Sequence, residues 1–131
     1  MGRKIIFLGC ILGAVGVILG ALGAHALKEV LTESQLVSFE VGVRYQIYHA
    51  ILLLFVGGTT YLSDSVKKTV SILVFLGVLF FSGSIYLLST NELTSINFKI
   101  LGPITPVGGI LLISAWLLVA FKALKSEKSI Y

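Results

Sequence analysis

Residues Val43 to Gly58 read VRYQIYHAILLLFVGG. The second half of this stretch, from Ala50, is apolar enough for the interior of a bilayer, and the first half is not. Arg44, Tyr45, Gln46, Tyr48 and His49 crowd the mouth of the run. A helix needs about 20 mostly apolar residues to cross the hydrocarbon core, and 43–62 has that length. In lipid each segment must satisfy its own backbone hydrogen bonds, so such a run is helical. The fold then turns on whether other segments match it.

They do. Three further runs qualify, at about 5–24, 69–88 and 106–124. The composition agrees: 56% of the 131 residues are hydrophobic and 12% charged, against about 25% charged in soluble domains. Mean hydropathy is +1.02. The reading is an all-α membrane protein, a four-transmembrane-helix bundle forming a single domain over 1–131. "AHA" (Ala24-His25-Ala26) resembles a signal-peptidase site, but the apolar run before it exceeds the usual ~7–15 residues, so 5–24 is read as a retained span.

The formal charge of +4 raises the question of nucleic acid. The basic residues form no stripe or arm; they cluster at the ends of apolar runs, so no nucleic-acid partner is expected. Such charges orient a membrane protein. With four spans, Arg3, Lys4, Lys67, Lys68, Lys122, Lys125 and Lys128 share one side, and Lys28, Arg44 and Lys99 the other. Seven against three predicts both termini in the cytoplasm (N-in, C-in). The expected location of such a multi-pass protein is the plasma membrane. The short 63–68 loop joins spans two and three as a hairpin.

In the first span Gly9, Gly13, Gly16, Gly20 and Gly23 recur at steps of four and three, on one helix face. Small residues let helix backbones approach in lipid. The face serves packing inside the bundle or, in the sharper reading, a homo-oligomer or partner seam. It lacks the G-x-G spacing of a nucleotide loop.

Before the second span, Thr32 to Gln35 reads T-x-x-Q, a capping box flanked by Leu31 and Leu36. It predicts a helix that starts near Glu33 and meets no turn signal before Leu62, its first part, about 33–43, an amphipathic extension ahead of the span, with Gly42 the place where a bend would fall. At 100° per residue, Leu36, Phe39, Val43, Ile47, Ala50 and Leu54 form one stripe. Ser38, Gly42, Tyr45, Gln46 and His49 fall on the opposite arc, directed at the bundle interior. Glu40, Arg44 and Tyr48 lie on a flank.

The topology brings polar residues of all four spans into the outer leaflet: His25, then Arg44, Tyr45 and His49, then Ser82, Ser84 and Tyr86, then Thr105 and Pro106. Thr105 and Pro106 read as the N-cap and first residue of the last helix. A helix start carries unpaired N–H groups and attracts anions. Arg44 would add to that attraction. His25, Arg44, Tyr45, His49, Tyr86, Thr105 and Pro106 are therefore the candidate ligand-binding residues. Each also has an ordinary role: arginine snorkels, tyrosine anchors at the interface, and Trp116 packs. His49 stands out by its depth, because polar groups inside a span are paired or functional.

Two histidines and a distant Cys10 fall short of the usual zinc set, so no metal is expected, and no other cofactor. No serine has a histidine and an acid beside it, so an enzyme is not expected. The leading functional expectation is a membrane protein that binds an anionic lipid or small amphiphile in a polar outer-leaflet pocket. The rivals are a structural or accessory subunit of a larger membrane complex and a small transporter or channel.

Four motifs, GALGAH (20–25), RYQIYH (44–49), FSGSIY (81–86) and TPVGG (105–109), occur in this order. Together they resemble the transmembrane protein 256 family, also known as domain of unknown function 423, along nearly the whole chain. That resemblance implies a small four-helix integral membrane protein and carries no established activity. Leu22 stands where the family often has phenylalanine, and Ser114-Ala115 precedes Trp116 where a glycine is more usual. Both differences concern packing.

Overall fold

The computed structural model describes residues 1–125, so Lys128, counted in the charge argument, lies outside the described residues. The elements are α1 (Gly2–Ala24), α2 (Glu33–Gly58), a third span built from α3 (Asp64–Val78), a π-helical turn (Leu79–Gly83) and α4 (Ser84–Ser89), and finally α5 (Ile104–Lys125). Single 3-10 turns occupy Leu27–Glu29, Asn91–Leu93 and Lys99–Leu101. All four spans are long and apolar enough to cross a bilayer.

Local chemistry sets the boundaries and corrects several expected ones. The capping box starts α2: Gln35 N–H donates to Thr32 Oγ1 (3.2 Å) and Thr32 N–H to Gln35 Oε1 (2.9 Å). From there the helix runs unbroken through Gly42, as the lack of a turn signal predicts, and the amphipathic segment and the second span are one helix. It covers 26 residues, about 39 Å at ~1.5 Å per residue. It stops at Gly58 and not at Leu62, because two glycines lead into the extended Thr59. The 63–68 segment is the beginning of α3 and not a loop: Ser63 Oγ accepts the Val66 N–H (3.3 Å) and Asp64 sits in the first turn. Ile104 starts α5, so Thr105 and Pro106 lie within its first turn and are not its cap and first residue. Proline is tolerated there because first-turn N–H groups have no intrahelical partner.

The glycines of α1 meet α2 of the same chain. A Cβ on Gly9 would stand 2.9 Å from the Ala50 carbonyl oxygen, and one on Gly16 2.8 Å from Ile47 Cγ1. On Gly23 it would touch the Phe39 ring at 3.1 Å. From the α2 side, Gly57 would meet Ile6 Cγ1 at 2.7 Å and the Gly2 carbonyl oxygen at 2.8 Å. The stripe Phe39–Val43–Ala50 is buried against this face, so the glycine seam is filled from within the chain. No glycine among the described residues has positive φ; their use here is close approach. At the end of the seam the buried Lys67 donates to the Gly57 carbonyl (3.4 Å), where the last turn of α2 exposes unpaired acceptors.

The core proper lies where α2, α3 and α5 converge. Leu53, Val56, Val70, Val74 and Ala115 are fully buried or nearly so. Gly77 of α3 receives Leu112 of α5, and Gly108 of α5 lies directly on the backbone of Phe81. The helices form an open arrangement: among the described residues, no Cα of α5 comes within 8 Å of one in α1 or α2. The outward faces of α1 (Phe7, Ile18) and α5 (Ile110, Leu117) are apolar, as a surface solvated by lipid tails requires.

Candidate functional site

The polar arc of α2 divides into two sites with different chemistry. Gln46, 3% exposed, ties three helices together. Its Nε2 donates to the Leu12 carbonyl of α1 (2.8 Å), and its Oε1 accepts the Tyr86 hydroxyl of α4 (2.7 Å). Gly42, one turn earlier on the arc, makes room for the Tyr86 ring, which a Cβ there would meet at 2.7 Å. Phe39 packs on the same ring, centroids 5.1 Å apart. An amide buried in lipid without partners would be costly; here both ends are satisfied.

The π turn serves the same layer. Ser82, fully buried, donates to the Gly42 carbonyl (2.7 Å). Ser84 donates to the Phe80 carbonyl (2.6 Å) and shares a 2.6 Å hydrogen bond with Thr105 Oγ1. Single π turns inside α-helices are frequent at functional sites. This one places Phe81 beside Tyr45, ring centroids 5.0 Å apart.

His49, one helical turn beyond Gln46 and 4% exposed, belongs to the second site. Trp116 Nε1 donates to its Nε2 at 2.9 Å, and its Nδ1 lies 2.6 Å from the Tyr45 carbonyl oxygen. Indole N–H can only donate, so Nε2 is the acceptor and the proton is assigned to Nδ1, which donates to Tyr45. The ring is thus the neutral Nδ1–H tautomer. Tyr45, His49, Phe81, Gly109, Leu112, Ile113 and Trp116 line a groove of about 320 Å³. It opens where the α2 and α5 backbones stay apart, and the His49–Trp116 hydrogen bond bridges it.

Of the seven sequence candidates, Tyr45 and His49 line this groove. Arg44 is exposed and borders a separate cleft with Gly20, Phe39, Glu40 and Val43. Tyr86 lines a cavity beside Gln46 and Leu12 of α1. Thr105 borders a cleft with Ser34, Ser38 and Ser89. His25 is exposed at the C-terminal cap of α1, and Pro106 is exposed on α5. The anion cradle expected from Arg44 and the start of the last helix is therefore dispersed, because Arg44 sits on the outer flank of α2 and the Thr105 hydroxyl is bound to Ser84. Among the described residues, no three His, Cys, Asp or Glu side chains come together to hold a metal ion.

Two residues matter more than their place in the sequence predicts. Trp116, expected to pack, is 48% exposed and supplies the hydrogen bond to His49. Gln46, on the polar arc but outside the candidate set, joins three helices. The available signal was the same for both: a polar group well inside a span requires a partner.

Fold and site together define a multi-pass helical membrane protein with internally paired polar side chains. The chain belongs to the family described as "Protein of unknown function (DUF423)", whose model matches residues 19–109. It is 38% identical over 126 residues to a UPF0382 membrane protein of Staphylococcus haemolyticus, covering 94% of this chain and 97% of the relative. The UPF0382 membrane protein YwdK of Bacillus subtilis is 37% identical over 128 residues, with 94% and 98% coverage. A UPF0382 membrane protein of Haemophilus influenzae is 31% identical over 127 residues, with 97% and 98% coverage. No solved structure matches this chain.

Proposed function

We propose that this protein is a non-enzymatic binder of a lipid or other small amphiphile, taken sideways from the bilayer into the groove between α2 and α5. One observation carries the reading: a groove of about 320 Å³ between helices whose backbones do not touch, apolar along its walls, with a paired indole and imidazole at one side. Its volume falls in the ~300–1,000 Å³ range of small-molecule sites, which combine apolar walls with a few convergent polar groups. Arg44 takes no part, since it borders a different cleft beside Glu40. The lysine and arginine distribution supports both termini facing the cytoplasm.

Gly109 offers the test. A Cβ there meets nothing closer than Phe81 Cδ2 at 3.8 Å, so Gly109→Leu fills the groove without a clash at its root. Native mass spectrometry from mild detergent should show a co-purifying amphiphile on the wild type and its loss from Gly109→Leu. Absence of any adduct on the wild type, or equal adducts on both, sinks the proposal.

A further inference from the structure

The amphiphile reading leaves the head group open, and the hydrogen-bond inventory of the groove narrows it. Among the described residues lining the groove, Trp116 presents one donor, the neutral His49 one acceptor and Tyr45 a hydroxyl that can do either; Trp116 and His49 satisfy each other at 2.9 Å. His49 cannot reverse its role while Nδ1–H is engaged by the Tyr45 carbonyl at 2.6 Å. No lysine or arginine is among the residues lining the groove. An anionic head would therefore meet the His49 lone pair and find no counter-charge, and an unpaired charge away from water is expensive. A hydroxyl matches both groups at once, because it donates one proton and accepts others.

We propose that the groove binds a long-chain lipid with a neutral hydroxyl head, the hydroxyl donating to His49 Nε2 and accepting the Trp116 Nε1–H. Two hydrogen bonds of ~2.8 Å around one oxygen need the nitrogens about 4.5 Å apart. The indole makes that room by swinging, since Trp116 lies 48% exposed on α5 and no backbone contact pins α5 to α2. Phe81, Leu112 and Ile113 then receive the chain. The resting Trp116–His49 bond keeps both groups satisfied when no ligand is present, as buried polar groups require.

This inference rests on the amphiphile reading, and the experiment separates the two. Trp116 is the sole tryptophan, so intrinsic fluorescence reports on this site alone. The full chain is reconstituted in phosphatidylcholine vesicles and titrated with three chain-matched brominated probes: a long-chain alcohol, its methyl ether and its monophosphate. The expected result is saturable quenching by the alcohol at least fivefold tighter than by the ether, which cannot donate to His49, or by the phosphate. His49→Phe should make alcohol and ether equal. Equal quenching by alcohol and ether in the wild type, or preference for the phosphate, overturns the hydroxyl assignment and leaves the amphiphile reading standing. No saturable quenching by any probe overturns both. The wild-type comparison needs no variant, so a His49→Phe protein that fails to fold does not blunt the test.

Discussion

Helix α2 meets α1 on one side and faces α5 across a gap on another, and the two boundaries are built on opposite rules. Toward α1 the chain removes side chains: the glycines let the backbones close until an added Cβ on Gly9 would stand 2.9 Å from a carbonyl oxygen. Toward α5 the backbones stay apart, and one imidazole–indole hydrogen bond crosses the space. Lipid tails are as apolar as leucine, so association of helices in a bilayer draws on close packing and hydrogen bonds. The first boundary is closed by direct backbone packing, and the second is bridged by a side-chain hydrogen bond. A seam of the first kind holds the fold, and one of the second kind can open.

The largest expected effect comes from breaking the tight seam. Gly9→Leu and Gly57→Leu should each destabilise by about 3 kcal/mol or more, at the upper end of overpacking costs, because a backbone oxygen, of Ala50 at 2.9 Å and of Gly2 at 2.8 Å respectively, stands in the way and cannot swing aside. Gly58→Leu is the matched control, since nothing lies within 4 Å of its Cβ. Unfolding followed by Trp116 fluorescence in mixed detergent reads both, and similar midpoints for Gly57→Leu and Gly58→Leu would count against the seam. Next comes the amide that spans α1, α2 and α4. Gln46→Leu leaves the Tyr86 hydroxyl without its acceptor and should lower stability by about 1–2 kcal/mol. Tyr86→Phe in the same background should then add little further loss; full additivity would show that the two side chains act separately.

The open boundary should behave differently. His49→Phe should shift the Trp116 emission, because the indole loses its acceptor, while stability changes by less than about 1 kcal/mol, in keeping with single interhelical hydrogen bonds in membranes. A loss as large as that of Gly9→Leu would make the groove a structural seam after all. The smallest effect is expected at Arg44→Ala, which should leave Trp116 fluorescence and amphiphile binding unchanged. Any loss of binding there would join the Arg44 cleft to the groove and favour an anionic ligand.

Much of this was readable in the residues. The four apolar runs, the capping box at Thr32 and Gln35, and the inward turn of Gln46 and His49 all follow from helical periodicity and the intolerance of lipid for unpaired polar groups. The ends of the spans are less legible: Gly57-Gly58 and Ser63-Asp64 act through local capping that an apolar window averages away. Trp116 was hidden because its spacing matches packing; only the position of His49 across a gap gives its N–H a purpose.

By itself the sequence determined that the chain is helical, that four of its segments are long and apolar enough to cross a membrane, and that α1 carries a face of glycines fit for close contact. These depend on hydrophobic length and period, which are properties of neighbours along the chain. Tertiary structure alone decided that the glycine face is filled by α2, that Arg44 is excluded from the cavity of His49, and that Trp116 bridges the groove to His49. Those outcomes depend on which helices pack tightly and which stay apart, and that is settled by shape and hydrogen-bond pairing between residues as far apart in sequence as His49 and Trp116.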